Sequence, residues 1–186
     1  MKRLVSIALL LLLVVAIPVG ASTFLRMSQK DLIRDSAAVV QGRVLQVNSF
    51  WEKTGRIIVT EALVRVDEAV YGDVPSVVVV RTFGGTVDGF TVEAHGFPKF
   101  RVNEQLLLYL EPERDGASRV TGYQQGQFRI VRDKAGVAYA VPTEDGSRIV
   151  TPDGRTAAPA KAVRLDALKE SIRNEARRAG RVVLEN

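Results

Sequence analysis

From Ala38 onward the apolar residues alternate instead of recurring at helical spacing. In Ala38-Val39-Val40-Gln41-Gly42-Arg43-Val44-Leu45-Gln46-Val47 the even positions Ala38, Val40, Gly42 and Val44 share one face, and Gln41 and Arg43 lie on the other. A period of two predicts a half-buried strand. Ile57 to Tyr71 repeats the pattern at greater length: Ile58, Thr60, Ala62, Val64, Val66, Glu68 and Val70 fall together, nearly all apolar or β-branched, opposite Glu61, Arg65 and Asp67. So long a strand is expected to bend over a core, as barrel strands do. Val77-Val78-Val79-Val80 is apolar on both faces and predicts either a central strand or one covered on both sides, and Leu106-Leu107-Leu108-Tyr109-Leu110 predicts another strand buried on both sides. Further strands are expected from Phe90 to Ala94 and around Val137, Tyr139 and Val141. Arg119 to Val131 predicts a hairpin turning at Gln125-Gly126, with Phe128 and Ile130 inward.

Turn residues separate these runs, at Tyr71–Pro75, Gly84–Gly89 and Gly96–Phe100. Two helices flank them. Ser28 with Asp31 three residues later predicts a capped N-terminal helix with Leu32 and Ile33 on its apolar side. Leu165, Leu168, Ile172 and Ala176 predict a C-terminal amphipathic helix docked on the barrel. The expected fold is mainly β: an OB-like closed or partly open barrel over residues 22–141, a linker over 142–160 and a helical segment over 161–180.

The chain opens with Met1-Lys2-Arg3, an apolar run from Leu4 to Ile17, then Pro18-Val19-Gly20-Ala21. The run is short for a bilayer span, and Pro18 and Gly20 break it before small residues suited to signal peptidase. A leader over residues 1–21, cut after Ala21, is the expectation, with the remaining chain in the periplasm or extracellular space. Losing Lys2 and Arg3 lowers the formal net charge from +5 to +3, a mild excess concentrated in the C-terminal stretch. The chain contains no cysteine, which excludes disulfides and lipidation at a cleavage-site cysteine.

Several local patterns belong together: Ala38-Val39-Val40-Gln41-Gly42-Arg43-Val44, Trp51, Thr60, Gly84-Gly85, Gly96-Phe97-Pro98-Lys99-Phe100, Glu104, Leu106–Leu110, and Gly122-Tyr123-Gln124-Gln125-Gly126-Gln127-Phe128. This set resembles a group of small exported bacterial proteins of unassigned activity. Asn103 stands where such proteins often carry glycine before the glutamate. More distantly, the strand order is similar to netrin-like or metalloproteinase-inhibitor barrels of the OB type. Those inhibitors chelate zinc through an N-terminal cysteine, so only their fold carries over to this cysteine-free chain.

Motifs with chemistry are sparse. His95 is the one histidine, so a zinc site would need carboxylates and a Cys–His pair is impossible. Gly84–Gly89 lacks the Gly-Lys-Ser/Thr ending of a phosphate loop and suits a hairpin or barrel corner. Glu61, Glu93 and Glu104 would suit glycoside chemistry only as a pair across a cleft. Aromatics near basic residues suggest a stacking or docking surface, with Trp51, Phe97, Phe100, Arg101 and Glu104 as the candidate binding residues. The expected function is an exported, non-enzymatic binding module of the cell envelope or extracellular space. Its expected partner is another envelope or secreted protein, with no cofactor, no metal, no nucleic acid, and membrane contact only through the leader. Two alternatives stand beside it: a hydrolase of envelope polymer or peptide using carboxylates and His95, and a barrel holding a small apolar ligand.

Overall fold

The computed structural model describes residues 22–183, and the leader expected at residues 1–21 lies outside them. In chain order the elements are β1 (Thr23–Leu25), α1 (Gln29–Asp35), β2 (Ala38–Trp51), β3 (Ile58–Tyr71), β4 (Val77–Phe83), β5 (Gly85–Val87), β6 (Phe90–Val92), β7 (Gln105–Pro112), β8 (Ser118–Val120), β9 (Gln127–Arg132), β10 (Ala138–Pro142), β11 (Arg148–Val150), β12 (Val163–Arg164) and α2 (Leu165–Arg178).

Five strands close an OB-like barrel. β7, β2, β3 and β4 pair antiparallel in that order, β8 pairs antiparallel with β7, and a parallel β4–β8 pairing completes the ring. The alternation read from sequence decides which side chains fill it. Val40 and Val44 of β2, Ala62 and Val64 of β3, Val78 and Val80 of β4, Leu106, Leu108 and Leu110 of β7, and Val120 of β8 form the interior, with Phe100 among them. Val39 of β2 and Leu107 and Tyr109 of β7 are buried too, on the outer side. Val39, Leu107 and Tyr109 pack with Leu32 and Ile33 of α1 and Leu165, Ile172 and Ala176 of α2. The two-sided apolar run in β7 thus has covers on both faces, as expected. The run in β4 is the other case, a central strand between β3 and β8 with one open face: Val78 and Val80 point inward, whereas Val77 is exposed and Val79 half-buried.

The long strands bend through bulges. The β2–β3 register shifts between Val39 and Val40, between Gln41 and Gly42, and between Val44 and Gln46, which raises local twist and lets a sheet curl shut. Gly42 sits at one of these shifts, where a Cβ would overlap the Arg65 carbonyl. The N-terminal capping box also forms: Ser28 Oγ accepts from Asp31 N–H at 3.2 Å, and the Asp31 carboxylate accepts from Ser28 N–H at 3.1 Å. Tyr71 Oη donates to the Ile33 carbonyl at 3.1 Å, tying α1 to β3. On α2, Lys169 and Arg173 both bond Glu68 of β3.

Two expectations need correction. β8 and β9 are not a hairpin. They lie one after the other on the same edge of β7, β8 opposite Leu110–Pro112 and β9 opposite Leu106–Leu108. The 3₁₀ turn Tyr123–Gly126 interrupts this path without reversing it. The stretch 142–160 is not a free linker. β11 pairs parallel with β1, Ile149 is buried, Arg26 bonds Glu144 and the Ala158 carbonyl, and Gly96 N–H donates to Asp145. Its proline, glycine and aspartate content gave irregular backbone, and buried side chains still anchor it.

Leu108, fully buried in the barrel, and Val77, exposed on its outside, form a paired test. Leu108→Ala should cost about 2–5 kcal/mol and Val77→Ala about 0.5 kcal/mol or less in urea unfolding.

Candidate functional site

The site arises where the barrel ring is weakest. The parallel β4–β8 pairing covers only Val80–Ser118 and Arg81–Arg119. Beyond it β4 continues through Thr82 and Phe83. The chain after β8 turns away instead, because Thr121 N–H bonds the Tyr109 carbonyl and Gln124 N–H bonds the Gly96 carbonyl. A groove of about 440 Å³ opens between them, lined among others by Ile57, Phe83, Phe97, Arg119 and Tyr123. The β2–β3 and β7–β8 loops contribute Glu52 and Glu113 to its lining. OB-type barrels bind ligands on the face of their second and third strands, between these two loops.

Three rings form one wall. Phe97 meets Phe83 edge-on at 5.2 Å between centroids and Tyr123 edge-on at 4.9 Å. Tyr123 leans on Phe24 at 5.1 Å. Phe83 and Tyr123 remain 48% and 46% exposed, so their faces are open to a ligand. Tyr123 holds φ at +59°, a left-handed backbone that costs a non-glycine residue about 1 kcal/mol or more. The ring contacts and the Gln124–Gly96 bond hold it there. Farther round the rim, Trp51 packs edge-on against Phe90 at 6.2 Å, and Phe90 is 66% exposed.

The lining is acidic. Arg81 bonds Glu61 at 2.6 Å, Glu113 at 2.9 Å and Asp115 at 2.7 Å, and Arg119 bonds Glu111 at 2.8 Å. The Glu61 carboxylate, then Asp115, hold the Arg81 guanidinium above its ordinary value, against the opposing pull of partial burial. The lining itself holds three carboxylates, Glu52, Glu111 and Glu113, against the guanidinium groups of Arg81 and Arg119. Lys53, Arg56 and Arg114 stand on the bordering loops, outside the lining.

Two smaller spaces adjoin. One, of about 280 Å³, lies at the barrel mouth under the β5–β6 hairpin. That hairpin turns at Asp88-Gly89, both at positive φ, as the glycine-rich stretch suggested. Its polar groups are satisfied: Ser49 and Thr60 hydroxyls bond each other at 2.7 Å, and Thr60 donates to the Gly84 carbonyl at 2.6 Å. Below the mouth, the barrel interior is filled by side chains. The other space, a cleft of about 90 Å³, lies across Phe97 and is lined by Lys99, Arg101, Glu104, Gln127 and Arg129 among others.

The candidate binding residues therefore divide. Phe97, Arg101 and Glu104 meet at the small cleft, and Phe97 also walls the groove. Trp51 lies on the rim with Phe90. Phe100 is a correction: it packs in the barrel core and only borders the space at the barrel mouth, away from the groove and the small cleft. The Glu104 carboxylate holds Arg129 at 2.7 Å. His95 is 65% exposed, with carboxylates of Asp145 and Glu93 at 3.7 and 3.9 Å. Glu61 is engaged by Arg81. Sequence reading missed Tyr123, Glu111, Glu113 and Arg119, which are far from Trp51 in sequence and become neighbours only when β8 closes the ring. Gly122 carried a signal, since glycine favours the positive φ that it adopts at this turn.

Among the described residues, no group of three or more His, Asp or Glu side chains is placed to hold a metal ion, and no helix is long and apolar enough to cross a membrane. No family model, no curated protein and no solved structure matches the chain.

Asp145 ties the 142–160 stretch to this region. Burial works to raise its carboxyl, but bonds from the Ser147 hydroxyl and the Gly96 and Ser147 N–H groups outweigh it and hold it at about 2, below the ordinary 3.8. A lowered folded-state value stabilises the protein above about pH 4, and that gain fades as pH falls toward 2. Asp145 is partly exposed, so solvent screening reduces the effect: Asp145→Asn should cost about 1 kcal/mol at pH 7 and flatten the acid limb of stability between pH 4 and 2, measured by urea unfolding beside the parent protein.

Proposed function

We propose that this protein is an exported, non-enzymatic binding module, and that the groove between β4 and β8 receives a segment of another envelope or secreted protein. The segment presents a basic side chain beside an apolar one. The observation that carries this reading is the juxtaposition of open aromatic faces at Phe83 and Tyr123 with an acidic lining. A lysine or arginine there gains carboxylate attraction and cation–π contact of about 0.5–2 kcal/mol. The exposed Trp51, Ile57, Phe83, Phe90 and Val92 around the same end supply apolar contact for flanking residues. Phosphate-rich ligands are disfavoured, since they need an excess of cations where this groove has an excess of carboxylates. Export rests on the charged, apolar and small-residue sequence of Met1–Ala21.

The two alternatives have less support. A glycosidase or peptidase needs carboxylates or a nucleophile and base facing one substrate space. Here Glu61 and Glu104 are each held by an arginine, and His95 is outside the groove lining. A small apolar ligand would need an empty interior, which Leu106, Leu108, Leu110 and the valines occupy.

Panning the protein against a random peptide library tests the proposal. Enriched sequences should carry lysine or arginine next to an aromatic or aliphatic residue. Phe83→Ala should weaken the best peptide about tenfold or more, as losing an aromatic anchor does, with thermal unfolding unchanged. Enrichment without basic residues, or full affinity in the variant, contradicts the reading.

A further inference from the structure

The charge of the surface reverses across the ring of Phe97. On the groove side carboxylates are in excess. On the other side the small cleft is lined by Lys99, Arg101 and Arg129 against Glu104 and Asp145. Both acids there are already engaged: Glu104 holds Arg129, and Asp145 accepts from Gly96 N–H and from Ser147. The neutral groups are engaged too. Gln127 Nε2 donates to the Lys99 carbonyl at 2.9 Å, and the Thr143 hydroxyl donates to Gln127 Oε1 at 2.9 Å. Lys99 and Arg101, both exposed at the cleft, make no side-chain hydrogen bond or ion pair among the described residues. They are two cations without counter-ions beside a space of about 90 Å³, room enough for one carboxylate group.

We infer that this cleft is a carboxylate subsite. Resting on the function proposed above, it takes an acidic side chain from the same protein segment whose basic side chain enters the groove, with Phe97 lying between the two charges. The Arg101 fork is matched to a carboxylate and the Lys99 ammonium adds a movable donor. Specificity follows from the reversal. A segment with its charges in the opposite order puts like charge against like at both ends, and such juxtaposition is strongly disfavoured.

The test uses ¹⁵N-labelled protein at constant ionic strength, because exposed charges are screened by salt. Three probes are titrated: N-acetyl-lysine methylamide, N-acetyl-glutamate methylamide, and the capped tripeptide Lys-Ala-Glu. The glutamate probe should shift the amides of Lys99, Arg101 and Thr143 and the side-chain amide of Gln127. The lysine probe should shift Phe83 and Tyr123. The doubly substituted Lys99→Ala/Arg101→Ala protein should lose the first response, keep the second, and bind the tripeptide about tenfold more weakly, the order expected for one charge-assisted pair. No localised response to the glutamate probe, or one that survives the double substitution, overturns the subsite while leaving the groove reading intact. Inorganic phosphate shifting the same residues at lower concentration overturns its assignment to a carboxylate. A cleft response without a groove response overturns the function proposed above, and with it the pairing of the two charges.

Discussion

A five-stranded sheet becomes a barrel only when its last strand returns to the third, and here that return is held by two residue pairs, Val80–Ser118 and Arg81–Arg119. So short a parallel contact supplies few backbone hydrogen bonds. Arg81 reinforces it with side-chain bonds to Glu61 on the neighbouring strand and to Glu113 and Asp115 at the β7–β8 loop. One guanidinium therefore joins β3, β4 and the loop that delivers β8. Partial burial keeps this network from being wholly screened by water, unlike the exposed pairs at Arg34 or Arg155.

The brevity of that contact also creates the groove. If β4 and β8 stayed paired as far as Phe83, the space between them would close and Phe83 would lie against a neighbouring strand. Because the chain turns off at Thr121, Phe83 keeps an open face, Tyr123 swings beside it, and Phe97 fills the wedge between them. The carboxylates that satisfy Arg81 and Arg119 then give the groove its charge. Closure of the fold and character of the surface come from the same few residues.

Period-two patterning made the barrel legible. Ala38 to Val44 and Ile58 to Val64 each predicted their inward residues, because a strand side chain has only two directions to take, and Leu106 to Leu110 predicted a strand buried on both faces. What patterning could not show was pairing across distance. Nothing local tells that β8 and β9 share one edge of β7, and a glycine near Gln125 looks the same in a hairpin as in a 3₁₀ turn. Likewise Val77-Val78-Val79-Val80 reads as two-sided, yet whether a cover lies outside depends on the helices, which sit over β2 and β7 and leave β4 open. In the 142–160 stretch, polar composition concealed the few side chains, Glu144, Asp145 and Ile149, that fix it. The site was half visible for the same reason: Phe97, Arg101 and Glu104 lie within eight positions and stay together, whereas Tyr123 and the acidic lining arrive from another strand. Phe100 was misjudged because one position along a chain decides between surface and core.

The central claim is that the Arg81 clasp holds the β4–β8 closure and so shapes the groove. Amide hydrogen exchange on Arg81→Met protein measures this directly. The account predicts that Val80, Arg81, Arg119 and Val120 lose protection together and the Tyr123 amide exchanges faster, while the amides shared by β2 and β3 keep theirs. Unchanged protection at Arg81 and Arg119, or an equal loss throughout the barrel, would contradict it.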